Sequence, residues 1–233
     1  MATVKFGGGV TAMSGSIAGS TFAKNRFGFY IRPRTKPVNP NSSYQSAVRQ
    51  YMKYFTERWH DTLSSTQRTA WATYAAAVPT KNRLGETVYL TGFNWYLAVN
   101  ISRYVAQNSK CDDGPVTLTL VESDPGFAVA AYASTQKLVF TLTDALPWRE
   151  IVAAVMSVFQ GRPQVATRNF FNGPWRYAGN FPGNAVAPYE QTAPFTLIAG
   201  QKVWVYGRIV TGPTDSRISA PMYASCTVAA APP

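Results

Sequence analysis

A chain of 233 residues with 46% hydrophobic and 14% aromatic side chains can bury a sizeable core, which excludes wholesale disorder. Charged residues are only 14%, yet the formal net charge is +11. No apolar run approaches the length of a membrane span, and the opening MATVKFGGGV carries no apolar secretion segment.

The charge is unevenly placed. Residues 1–110 hold 14 Lys/Arg against three acids, whereas residues 111–233 hold eight of each. All the net positive charge sits in the first half, which suggests a polyanion or an acidic protein surface beside it.

In chain order, residues 1–40 read as an extended arm. It is Gly-, Ser- and Thr-rich at first, then basic and aromatic over 24–40, KNRFGFYIRPRTKPVNP. Lys24, Arg26, Arg32, Arg34 and Lys36 alternate with Phe27, Phe29, Tyr30 and Ile31, with no acid among them. Pro33, Pro37 and Pro40 forbid a continuous helix and bias their neighbours to extended backbone. Short extended pieces are expected at 3–6 and 27–32. Such an arm cannot bury its own apolar side chains, so Lys24, Arg26, Phe27, Phe29, Tyr30, Arg32, Arg34 and Lys36 form the candidate interface.

From Ser42 the apolar spacing becomes helical. Tyr44, Val48, Tyr51, Phe55, Trp59 and Leu63 recur every three or four residues, and Ser42 with Gln45 fits a capping box. Ser64 with Gln67 opens a second helix that Pro79 ends, making an αα-hairpin with Trp59 and Trp71 in its seam. Residues 80–91 read as a loop or short hairpin turning at Gly85. Phe93, Tyr96, Leu97, Asn100, Ile101, Tyr104 and Val105 mark a third helix, so residues 41–110 form a three-helix unit.

The turn Cys111-Asp112-Asp113-Gly114-Pro115 closes that unit, and the period then changes to two. Strands are expected at 116–122, 127–133, 137–143, 151–159, 165–171, 195–198, 203–210 and 222–229. In the 202–211 segment, Val203, Val205 and Ile209 share one face, and Trp204, Tyr206, Arg208 and Val210 the other. Strands without intervening helices argue an antiparallel sandwich over 111–233. The turn-rich stretch 172–194 reads as a functional loop or one packed on a neighbour. The fold class is therefore α+β: arm, three-helix unit, antiparallel sandwich.

The residues offer little chemistry. Gly7-Gly8-Gly9-Val10-Thr11-Ala12 spells G-x-G-x-x-A, but Ser14, Gly15 and Ser16 follow where a helix is needed, and the first acid is Glu57. His60, the single histidine, has no nucleophile motif to serve. Asp112, Asp113, Glu122 and Asp124 lack calcium-loop spacing and read as turn-forming acids. Cys111 and Cys226 make no disulfide framework and are expected to be free thiols. No catalytic residue, metal ligand or cofactor is expected, and the chain reads as a non-enzyme.

The arm admits three uses. It can dock on a partner as an added strand, neutralise phosphates and stack on bases, or fold back over its own helices. A glycan reading rests on Trp175, Tyr177, Phe181 and Tyr189 in the 172–194 stretch.

Residues 28–100 resemble a pattern in uncharacterised phage-encoded virion-type proteins. The residues carrying it are GFYIRPRTKPVNP, Gln45 and Arg49, Trp59 and Leu63, QRTAWATYA and LTGFNWY. Residues 203–228 are similar to the end of fibronectin type III or immunoglobulin-like domains, where an aromatic strand, a Ser-x-Pro element (Ser219-Ala220-Pro221) and a last strand follow one another. The Cys–Trp–Cys core of antibody domains is missing. These resemblances imply a capsid-associated or decoration component, made in the host cytoplasm without a signal peptide and located in the virion. The implied partners are capsid or other virion proteins and sister subunits, with nucleic acid as the alternative and no membrane.

Overall fold

A computed structural model describes residues 2–36, 38–82, 84–151 and 153–232. Pro37, Arg83 in the expected 80–91 hairpin and Val152 in the expected 151–159 strand lie outside the described residues. The fold is α+β, with three α-helices and antiparallel sheets among the described residues.

Four short strands, β1 (Ala2–Val4), β2 (Gly15–Ile17), β3 (Ser20–Asn25) and β4 (Gly28–Pro33), pair antiparallel in the order β1-β4-β3-β2. The arm is thus extended locally and folded into a sheet of its own. Residues 34–36 and 38–41, without regular structure, lead towards the first helix.

Helix α1 (Ser43–Asp61) starts at the expected capping box: Ser42 Oγ accepts from the Gln45 N–H, and Gln45 Oε1 accepts from the Ser42 N–H. Helix α2 (Ser65–Ala77) starts the same way at Ser64 and Gln67. Both boxes satisfy N–H groups that the first helical turn leaves without partners. Strands β5 (Pro79–Lys81) and β6 (Thr87–Tyr89) form the short hairpin, with Gly85 at φ +78° in its turn. Helix α3 (Gly92–Val105) follows, capped by Thr91.

The seam between α1 and α2 is filled by α3. The ring of Tyr96 lies 5.3 Å from Trp59 and 5.7 Å from Trp71, so the two tryptophans meet through a third helix rather than directly. The approach is close enough to require glycine. A Cβ on Gly92 would lie 2.7 Å from the Ala72 backbone nitrogen, and one on Gly114 2.8 Å from that of Trp71.

The sandwich has two antiparallel sheets. The chain runs through β7 (Ala128–Tyr132), β8 (Lys137–Thr141), a 3-10 turn (Pro147–Glu150), β9 (Val155–Gly161), β10 (Trp175–Pro182), β11 (Tyr189–Thr192), β12 (Lys202–Val210) and β13 (Met222–Thr227). The sheets are β10-β9-β12-β13 and β11-β8-β7. Met156, Val158, Phe181, Val203, Val205 and Ile209 pack against Ala131, Leu138, Phe140 and Tyr189 in one buried core. Phe140 meets Phe181 across it at 5.5 Å.

The alternation expected in 202–211 holds: Val203, Val205 and Ile209 enter the sandwich core, and Val210 leaves by the other face. That other face meets the helices. Val155, Val210 and Ile218 belong to the same core as Phe55, Trp71, Tyr74, Trp95 and Val99. The sheet β10-β9-β12-β13 is therefore buried fully on one face and partly on the other. Arg103 of α3, wholly buried, fastens the contact by donating from Nη1 to the Thr211 carbonyl at 2.5 Å and from Nε to the Ser109 carbonyl at 2.7 Å.

Several strand expectations fail. Residues 116–122 contribute only a bridge from Val121 to Ser219, and 165–171 and 195–198 form no strand. Conversely, the stretch 172–194 is no loop: it holds β10, which pairs with β9, and β11, which pairs with β8. Gly179 and the register shift between Tyr177 and Gly179 break the alternation there.

Candidate functional site

The candidate interface residues lie on the N-terminal sheet and on the segment that leaves it. Residues paired across neighbouring strands share a face. Phe29 pairs with Val4 and with Lys24, Ile31 pairs with Phe22, Phe22 with Gly15, and Ser20 with Ile17. One face is thus Val4, Phe29, Ile31, Phe22 and Ile17, with Lys24 as its single charge. The ammonium of Lys24 sits 5.1 Å over the Phe29 ring, and Phe6 meets the same ring edge-on at 5.1 Å.

The opposite face pairs Tyr30 with Thr3 and Ala23, and Arg32 with Thr21. Arg26 and Phe27 form the tip of the β3–β4 turn, where the Phe27 N–H donates to Asn25 Oδ1 at 2.9 Å. Arg34 and Lys36 follow β4, both exposed, with the Arg34 N–H donating to the Gly19 carbonyl at 2.8 Å. The structure therefore divides the eight residues. Phe29 and Lys24 lie on an apolar face, Tyr30 and Arg32 on a polar one, Arg26 and Phe27 at a tip, and Arg34 and Lys36 on the tail.

Among the described residues no second layer covers the apolar face. None of its residues belongs to either hydrophobic core; Ile17 is 63% exposed, and Val4, Phe22, Phe29 and Ile31 are half-buried. The sheet touches the rest of the molecule at the β5–β6 hairpin, where Lys5 pairs with Glu86 and a cleft of about 290 Å³ opens between Phe29 and Leu84. Among the described residues it is not folded back over the helices. Burying a medium-sized apolar side chain contributes roughly 1.5–3 kcal/mol, so an amphipathic sheet without a partner layer forgoes most of its own stabilisation.

The other sequence candidates are structural. Asp112 pairs with Arg58, Asp113 accepts from Gln67 Nε2 at 2.8 Å, and Asp124 accepts from the Gly126 and Thr143 N–H groups. These acids hold backbone and helix ends rather than converge. His60 is exposed on α1. Both cysteines are free, and burial pushes the Cys226 thiol up to about 11. Phe181 and Tyr189, two of the four glycan candidates, are buried in the sandwich core.

Two features escaped the sequence reading. The uncovered part of the outer sheet face gathers aromatic rings: Phe159 stacks on Tyr206 at 4.6 Å, Trp175 meets Tyr206 at 5.0 Å, and Phe171 stacks on Trp204 at 5.5 Å. Tyr223, 66% exposed, borders them. The period-two pattern of β12 points to this face, but the turn-rich composition of residues 172–194 conceals the contribution of β10. The second feature is a cavity of about 590 Å³ between the β5–β6 hairpin, α3 and β12.

Among the described residues no cluster of His, Cys, Asp or Glu has metal-site geometry, and no helix is long and apolar enough to cross a membrane. Comparison with protein-family models and with curated proteins finds no match.

Proposed function

We propose that this chain is a non-enzymatic structural component of a phage particle, a capsid-associated or decoration protein anchored by its N-terminal sheet. The observation that carries the reading is the apolar face of Val4, Phe22, Phe29 and Ile31, which has no covering layer among the described residues. A second layer from a capsid protein or a sister subunit would complete it, and repeated copies would multiply the gain without new contacts. Arg26, Arg32, Arg34 and Lys36 would meet acidic groups at the rim. The immunoglobulin-like and phage resemblances of residues 203–228 and 28–100 support the virion setting.

Removing residues 1–40 tests it. The shortened chain should fold and fail to incorporate into particles; normal incorporation would overturn the anchoring role. Tight, strongly salt-dependent binding to DNA by the full chain, lost with the same deletion, would instead favour the nucleic-acid reading.

A second reading, glycan binding, is favoured by the aromatic face around Trp175, Trp204, Tyr206 and Tyr223, because flat rings stack on sugar faces. A glycan array separates the two, since docking through the N-terminal sheet predicts no sugar bound there.

A further inference from the structure

The cavity of about 590 Å³ between the β5–β6 hairpin, α3 and β12 falls in the range of small-molecule sites. Its walls are mostly apolar: Pro79, Leu120, Ala220, Pro221 and the indole of Trp95. The polar groups that line it are predominantly donors. Trp95 is 3% exposed, and its Nε1–H is buried with no acceptor among the described residues. The Nε of Arg208 is buried and equally without a partner. Lys81 also lines the cavity, and its ammonium donates to the neutral Thr87 Oγ1 at 2.9 Å. No Asp or Glu among the described residues lines the space.

Arg208 differs from the other enclosed arginines. Arg58, Arg149 and Arg217 each pair with a carboxylate. Arg103 has no acid but donates from all three nitrogens to Ser109 and Thr211. Arg208 stands on the outer face of β12, opposite Ser157 of β9, which lines a separate cleft on the far side of the arginine rather than this cavity. Burial pulls the Arg208 pKa down, with the neighbouring Tyr206 and Tyr223 opposing the shift. Buried polar groups are normally hydrogen-bonded and buried charges normally paired.

Three donors and no acceptor acid, set in apolar walls, match one chemical class. We propose that this cavity binds a small carboxylic acid with an apolar body, its carboxylate held by Arg208 and the Trp95 indole N–H. A guanidinium fork fits a planar carboxylate. Lys81 adds positive charge, and Leu120, Pro79 and Pro221 take the hydrocarbon part. The inference is independent of the docking role of the N-terminal sheet, which contributes no residue to the cavity.

The probe is 3-phenylpropionate, added to the full chain with the indole N–H resonances followed by NMR and Trp95 assigned through Trp95→Phe. A saturable shift of the Trp95 signal at millimolar acid or below is expected. Neutral 3-phenylpropionamide should bind at least about tenfold more weakly, as expected if a charge-assisted contact of about 1.4 kcal/mol is lost. Arg208→Gln should weaken acid binding by a similar factor. Equal binding of acid and amide, or no saturable shift, overturns the proposal. The acid–amide comparison uses the unaltered chain, so it decides even if Arg208→Gln does not fold.

Discussion

Arg58, in the last turn of α1, and Asp112, in the turn that begins the sandwich half, grip each other through two parallel contacts, Nε to Oδ1 at 2.7 Å and Nη2 to Oδ2. Tyr96 Oη donates to the same Oδ1 at 3.2 Å, and the Trp71 indole donates to the Asp112 carbonyl at 3.0 Å. One residue thereby ties together all three helices. The Arg58 guanidinium holds the Asp112 carboxyl below the usual carboxylate range. Asp112→Asn should cost about 1.5–3 kcal/mol, the scale of hydrogen bonds to a charged group. Because the folded pKa is depressed, the stabilisation is full above the unfolded value, near 4, and is lost as pH falls through the lower folded value. Thermal melts of the two proteins should differ at pH 7, begin to converge as pH falls through about 4, and meet only below the lower folded value.

The N-terminal sheet adds no residue to either core. Residues 41–233 should therefore melt at the temperature of the full chain, as read by calorimetry. Phe29→Asp in the full chain should likewise leave that transition in place while abolishing particle incorporation. A large fall in melting temperature on deletion would mean the sheet is part of the folded body.

The sandwich depends on the helices. Without α3, the side chains of Val155, Val210 and Ile218 on the outer sheet face would meet water, and the Thr211 carbonyl would lose Arg103. A fragment of residues 111–233 should therefore aggregate or unfold, in contrast to residues 41–233; light scattering and far-UV circular dichroism distinguish them. In the intact chain, Arg103→Met should cost about 1–3 kcal/mol by leaving buried acceptors unpaired.

Gln160 lies wholly buried opposite Val205, and neither polar atom of its amide has a partner among the described residues. Gln160→Leu replaces that amide by a side chain of similar size. It should raise stability by about 1–2 kcal/mol, a gain of roughly 2–8 °C in Tm for a chain of this length.

Gly92→Ala places a methyl 2.7 Å from the α2 backbone, where no flexible side chain can yield. The helices must separate, and a loss of about 1–3 kcal/mol in denaturant unfolding is expected.

What the sequence determined by itself was local. Ser42 with Gln45 and Ser64 with Gln67 announce helix starts because a capping box spans three residues and needs nothing distant. The two faces of β12 were legible because each is buried against a different layer, and the period of two survives in the residues. The uneven charge and the extended, aromatic character of residues 24–36 were equally plain. Tertiary structure alone decided the pairing. β10 and β11 are strands because β9 and β8 lie beside them, although Gly179 and the bulge at Tyr177 spoil their pattern. Residues 116–122 and 165–171 have strand-like side chains but find no neighbouring ladder. The apolar face of the N-terminal sheet and the cavity at Arg208 arise in the same way. Each joins residues of separate strands or elements, and the hydrogen bonds that bring those elements side by side leave no periodic trace within any one of them.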